Sequence, residues 1–193
     1  MKIGVIADTH AQHIDELPVS LVNMLVKMDL VVHLGDYDSK EMVEEFKSLG
    51  NFKGITGNHD SHDIRALLPD SDILEINGKT IGLVHGHGCV LPAGFQKGLK
   101  AKFKGKKIDI ILYGHTHITR NELIGDTLYF NPGSAIGRFP AYRCSYGILD
   151  IGDSITGEVL PIPQSYSLKP SHARTIAGKF APQRLIYYIA ALW

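Results

Sequence analysis

The sequence predicts an α/β fold of two packed β-sheets with helices on the outside, an αββα layering. Two observations carry that expectation. As far as Asp60, short apolar strands alternate with helical segments at βαβ spacing, which implies a largely parallel sheet. Beyond that point the chain turns to hairpins, marked by Asn77-Gly78, Gly125-Asp126 and Gly152-Asp153. A third observation concerns chemistry: five strands end in polar, ligand-type residues just past the apolar run.

The elements follow from local pattern. Lys2–Ala7 is a strand that ends at Asp8-Thr9-His10. Leu17–Met28 has helical apolar spacing, with Pro18 in the first turn, where its missing N–H is no loss. Leu30–Leu34 is a buried strand that ends at Gly35-Asp36, and Ser39 can cap a helix over Lys40–Leu49 that stops at Gly50. Phe52–Thr56 is a strand ending at Gly57-Asn58-His59-Asp60. The hairpin Asp72–Ile76 and Lys79–Val84 ends at His85-Gly86-His87. A helix over Phe95–Phe103 precedes the strand Ile108–Tyr113, whose end carries Gly114-His115-Thr116-His117. Arg120–Ile124 with Thr127–Asn131, and Ser145–Ile151 with Ser154–Leu160, complete the hairpins. This predicts one domain over residues 1–160. Residues 161–193 form a C-terminal extension, opened by Pro161-Ile162-Pro163 and closed by an apolar stretch, Leu185–Trp193, that Pro182 is placed to start as a short helix.

Composition narrows the function classes. The chain has 193 residues, and its 20 basic side chains balance 20 acidic ones, so bulk charge recruits neither nucleic acid nor anionic membrane. Two cysteines, Cys89 and Cys144, can build neither a disulfide framework nor a Cys-x-x-Cys site, which favours a reducing, cytoplasmic setting. The N-terminus has secretion-signal character for only five residues before Asp8 interrupts it. No apolar stretch is long enough to span a bilayer.

In α/β sheets, functional residues gather beyond the carboxyl ends of the strands. Asp8, His10, Asp36, Asn58, His85, His115 and His117 all stand there. This set exceeds what one tetrahedral ion needs and suits two ions that share a bridge. Its nitrogen and oxygen donors suit manganese, iron, cobalt, nickel or zinc, and do not make an all-oxygen calcium or magnesium cage.

The motifs D-x-H at Asp8–His10, GD at Gly35-Asp36, GNHD at Gly57–Asp60, HGH at His85–His87 and GHTH at Gly114–His117, in that order, resemble the calcineurin-like metallophosphoesterase superfamily. The short length, and NPGS at Asn131–Ser134, are similar to its small bacterial and archaeal phosphodiesterase branch. The resemblance covers Met1 to about Leu160. It implies a four-layer αββα sandwich of two mixed β-sheets flanked by helices, with two divalent transition-metal ions, manganese first among the candidates. By that resemblance Asp8, His10 and His117 hold one ion, Asn58, His85 and His115 hold the other, and Asp36 bridges. His59 is then the histidine that faces substrate without binding metal.

The implied reaction is hydrolysis of a small phosphodiester, a nucleotide being one candidate, by a metal-bridging hydroxide attacking in line with the leaving oxygen. His59 can protonate the leaving alkoxide or stabilise charge on the phosphoryl oxygens. Two divalent ions less two Asp charges leave two positive charges, which a hydroxide and a diester monoanion neutralise and a monoester dianion overshoots. The pattern departs from the GDxxD of larger relatives, whose second Asp orients the catalytic histidine. Ser39 stands there, with Asp60 or Asp38 as substitutes.

Other polar residues have plainer readings. His33, inside an apolar strand, is a hydrogen-bonded core or supporting histidine, and His87 is a spare beside His85. His13, His62 and His172 face solvent. The six lysines of Lys97–Lys107 form a solvated face or an anion-steering patch. Arg138 and Arg143 reach the scissile phosphate or sit on a surface loop. The extension packs on its own domain or mediates homo-oligomerisation. Two rival functions remain: a phosphomonoesterase or nucleotide pyrophosphatase, and a non-catalytic scaffold like the retromer subunit that resembles this branch.

Overall fold

In a computed structural model the described residues are 1–89, 94–137, 140, 141 and 143–163. The strands are β1 (Lys2–Ile6), β2 (Leu30–His33), β3 (Phe52–Gly54), β4 (Ser71–Ile76), β5 (Lys79–Val84), β6 (Ile110–Leu112), β7 (Arg120–Ile124), β8 (Thr127–Asn131), β9 (Ser145–Ile151) and β10 (Ile155–Pro161). The helices are α1 (Val19–Leu25), α2 (Lys40–Ser48), α3 (His62–Leu67) and α4 (Phe95–Ala101). One sheet has the order β10-β9-β1-β2-β3 and the other β4-β5-β6-β8-β7. Both are mixed. Parallel trios β1-β2-β3 and β5-β6-β8 are flanked by antiparallel strands.

The two sheets share one core. Ile3, Val5, Val32, Leu34 and Ile55 of the first sheet and its loops meet Leu74, Ile81, Leu83, Leu112 and Phe130 of the second. Strand alternation sends the intervening side chains to the outer faces. Outside the first sheet, α2 buries Met42, Val43 and Phe46, and Phe46 stacks on Phe52 at 5.7 Å. Outside the second sheet, Phe95 and Leu99 of α4 pack with Phe103, Ile111, Tyr113 and Tyr129. The expected layering is therefore present, with few helices.

Differences lie at the margins. The first helix is shorter than Leu17–Met28, and a 3₁₀ turn over Ile14–Glu16 precedes it. Helix α3 is not evident in the sequence pattern, because six residues with one buried side chain, Ile64, give no readable period. His13 does not simply face solvent: it is half-buried, with Nδ1 3.1 Å from Glu45 Oε1. His62 is exposed, as expected. The lysines from Lys97 to Lys107 are all exposed, in keeping with a solvated face. Strand β10 runs one residue past the expected boundary, to Pro161. The rest of the C-terminal extension, including the short helix expected at its end, His172 and Arg138 lie outside the described residues. Among the described residues, no helix is long and apolar enough to cross a membrane.

Candidate metal centre

The two parallel trios run to the same end of the molecule and bring their loops together. Asp8 and His10 follow β1, Asp36 follows β2 and Asn58 follows β3. His85 follows β5, and His115 with His117 follow β6. Two compact groups of donors result: Asp8, His10 and His117, and Asp8, Asp36 and His85, each with atoms within 4.8 Å of one another. Asp36 Oδ2 of the second group also approaches the first, 3.7 Å from His10 Nε2 and 3.4 Å from His85 Nε2. Asp8 Oδ1 lies 3.5 Å from His117 Nε2 and 4.0 Å from His85 Nε2. Asn58 Oδ1 is 3.2 Å from His85 Nε2. The His115 ring is 5.2 Å from that of His85, and its backbone N–H donates to Asp8 Oδ2. All seven residues singled out in the sequence thus gather, and Asp8 reaches both groups.

The backbone there is strained in a consistent way. Among the described residues, Asp8, His10, Asp36, Asp38, His115 and His117 all have positive φ, from 40° to 91°. Among the other described non-glycine residues, only Asn77 and Lys104 share that conformation. Such residues persist where surrounding structure over-determines them.

That structure is visible. Asp60, buried, accepts hydrogen bonds from the backbone N–H groups of Asp36 (3.0 Å), Tyr37 (2.7 Å) and Gly57 (2.6 Å). Arg65 donates to the carbonyls of Asp60 and Gly57. On the other sheet, Asn131 donates to the Gly114 carbonyl, and Ser134 donates to the Asp8 carbonyl. NPGS therefore splices the loop after β8 to those after β1 and β6. His33 accepts from the Gly35 N–H at Nδ1, so its proton sits on Nε2, 3.0 Å from Thr9 Oγ1. Burial keeps His33 neutral by pushing its pKa well below the usual range, and its ring stacks on Tyr37 at 3.8 Å. It is a supporting core histidine, as its strand position suggested.

Two donors have fixed tautomers. The Leu34 carbonyl, 2.6 Å from His85 Nδ1, can only accept, so Nδ1 carries a proton and Nε2 faces the centre. Asp38 Oδ1, 3.2 Å from His10 Nδ1, does the same for His10. Asp38 thus orients His10 and not His59, and Asp60 is committed to backbone N–H groups. No described carboxylate hydrogen-bonds the exposed His59 ring, which packs edge-on against His10 at 5.4 Å. His87 is half-buried, its ring 5.6 Å from that of His85, and its buried Nδ1 has no partner.

Electrostatics favour a cation here. Burial alone raises the Asp36 carboxyl, but the hydrogen bond and charge of His85 outweigh it and hold Asp36 far below the carboxylate range. Burial lowers His85, and the bond to Asp36 with the charges of Asp36 and Asp8 lifts it above the ordinary histidine value. Asp8 Oδ1 is fully buried and accepts no hydrogen bond. A buried carboxylate oxygen left unpaired is costly. With the Nε2 atoms of His117 and His85 at 3.5 and 4.0 Å, this oxygen belongs to a donor set that fits a divalent ion of nitrogen and oxygen preference.

The comparisons agree with this geometry. Residues 1–154 match the calcineurin-like phosphoesterase superfamily domain. A probable metallophosphoesterase of Methanocaldococcus jannaschii is 34% identical over 166 residues, covering 85% of this chain and 83% of that protein. A phosphodiesterase of the same organism is 30% identical over 167 residues, covering 78% and 93%. Wild-type Vps29 of Entamoeba histolytica, crystallised with zinc, superposes with a TM-score of 0.66 at 26% identity, covering 83% of this chain and 99% of that one. With its motifs on the loops of both sheets, the chain belongs to the calcineurin-like phosphoesterase superfamily.

Proposed function

We propose that the protein is a divalent-metal-dependent phosphodiesterase acting on small diesters. The observation that carries this reading is the pair of donor groups joined by Asp36 and Asp8. Asp8, His10 and His117 would hold one ion, and Asn58, His85 and His115 the other, with Asp36 between them. Two such ions supply positive charge for the phosphoryl oxygens and lower the pKa of water toward neutrality. The chain's own residues do the rest. The Asp38–His10 and Leu34–His85 contacts fix which ring nitrogen faces the centre. Exposed His59, beside His10, is free to turn to substrate and to protonate the leaving oxygen. Diesters are favoured over monoesters by the charge balance of two Asp ligands.

The test is metal analysis of purified protein, followed by turnover of bis-p-nitrophenyl phosphate and p-nitrophenyl phosphate with manganese, nickel, cobalt, iron or zinc. Faster diester turnover with two ions per chain is expected. Inert protein that takes up no metal would point to the scaffold instead. A cytoplasmic location, in line with a sequence that holds only two cysteines, belongs to the same proposal. So does self-association through residues 161–193, which sedimentation of the full and shortened chains would test.

A further inference from the structure

A cleft of about 400 Å³ opens beside the metal centre, with His117 in its wall. The rest of its lining comes from three places: Ile118 and Thr119 after β6; Pro140, Ala141, Arg143 and Cys144 before β9 with Ser145 at its start; and Val159 and Pro161 of β10. Its described walls are mainly apolar. Ile118 is 59% exposed, unusual for isoleucine and more so next to a candidate metal ligand. The cleft's guanidinium, Arg143, is exposed and has no ion pair among the described residues.

The frame of this cleft is stiff. The Ser145 hydroxyl donates to the Pro132 carbonyl at 2.6 Å, and the Ser145 N–H donates to the Ser134 carbonyl. The Ile162 N–H donates to the Cys144 carbonyl, which ties the end of β10 to the start of β9. Gly133 has φ +81°, and a Cβ there would stand 2.3 Å from Ser145 Oγ and 2.9 Å from Thr119 Cγ2. The NPGS turn therefore needs a glycine to let the two walls approach. A rigid recess sharing His117 with the candidate metal centre has the form of a binding subsite.

We infer that this cleft receives the non-reacting arm of the phosphodiester, and that the arm is a flat aromatic group, an aryl or a nucleobase. The inference rests on the phosphodiesterase reading above and deepens it. A phosphorus seated near Asp8, His10 and His117 carries two ester arms, and the cleft begins at His117. Apolar walls desolvate a ring, and a guanidinium stacks on aromatic faces. An aliphatic arm would gain burial alone and leave Arg143 without a role.

The test uses the full-length manganese-loaded chain and two diesters with one leaving group, thymidine 5′-p-nitrophenyl phosphate and methyl p-nitrophenyl phosphate. The nucleoside ester should have kcat/KM at least tenfold higher, through KM. Ala141→Trp, which fills the cleft, and Arg143→Ala should each bring the ratio of the two kcat/KM values close to one. Calorimetric titration with phenylphosphonate and methylphosphonate gives a readout without turnover, and the preference for the phenyl compound should vanish in Ala141→Trp. Equal kcat/KM for both esters in the unaltered chain, or a ratio that survives both substitutions, overturns the cleft assignment and leaves the phosphodiesterase reading standing. If neither ester is hydrolysed by metal-loaded protein, it is the phosphodiesterase reading that fails.

Discussion

Asp38 Oδ1 stands 3.2 Å from His10 Nδ1, and the other ring nitrogen of His10 then faces Asp36 Oδ2 at 3.7 Å. Asp38 is itself held with φ 91°, so the contact is not a chance of a loose surface chain. Carboxylates that orient a ligating imidazole commonly affect metal affinity by about 10–100-fold. Asp38→Ala should weaken manganese binding within that range, with turnover recovered at high manganese. A metal titration followed by initial rates checks it. Unchanged affinity would reduce Asp38 to a surface residue.

Asp60 anchors two loops at once through three backbone N–H groups. Removing a buried acceptor of this kind leaves donors unsatisfied, so Asp60→Ala should destabilise the fold by about 3 kcal/mol. Urea unfolding measures this. Ser61→Ala, next door, removes no side-chain capping bond and should stay within about 0.5 kcal/mol of the parent.

Gly57 sits against the Asp36 carboxylate. A Cβ at this position would lie 2.1 Å from Asp36 Oδ1 and 2.7 Å from the Asp36 nitrogen. Gly57→Ala must therefore push Asp36 out of line between His10 and His85. The variant should keep its far-UV circular dichroism and lose more than about tenfold in metal affinity. Native-like affinity would show that the Asp36 position tolerates movement.

His59 has the opposite expectation. It touches the centre through ring packing on His10, with no bond to a carboxylate among the described residues. If it acts as general acid, His59→Ala should lower turnover by about 10²–10⁴-fold while the metal content stays at the parent value. Loss of metal along with activity would make it a structural neighbour of His10 instead.

Two histidines give stability opposite pH dependences. The bond to Glu45 raises the His13 pKa. His13 therefore contributes stability below about pH 6.5, and that contribution fades as pH rises through the raised value. His13 is partly solvated, so the effect stays under about 1 kcal/mol. Burial depresses His33. Below about pH 6.5 the unfolded chain takes up a proton there that the folded chain resists, so stability falls with acid. Urea midpoints between pH 5 and 8 should show His13→Gln losing stability mainly at the acid end. His33→Gln should show a shallower acid decline than the parent.

Much of this architecture was legible because the chain states it locally. Asn77-Gly78 and Gly125-Asp126 marked hairpins whose strands agree closely with the reading. Most of the candidate donors were legible because they follow short apolar runs, β1, β2, β5 and β6, that form buried strands; Asn58 follows the less buried β3. What could not be read depends on partners distant in sequence. His85 is oriented by the carbonyl of Leu34, a group every residue possesses. Asp38 and Asp60 were candidates to hold His59, and only the folded loops show that one bonds His10 and the other bonds backbone. Ser134 was read only as the last residue of NPGS, and its tie to Asp8 spans 126 positions.

Asp8 and Asp36 hang from the first sheet, while His85 and His117 hang from the second. Each proposed cation, one held by Asp8 and His117 and the other by Asp36 and His85, would be a rivet through the seam between the sheets. Its binding free energy then adds directly to sheet–sheet cohesion, and occupancy sets how readily the two halves of the core part. A chelator would thus loosen the buried faces of Val5 and Leu83 as well as the loops it strips.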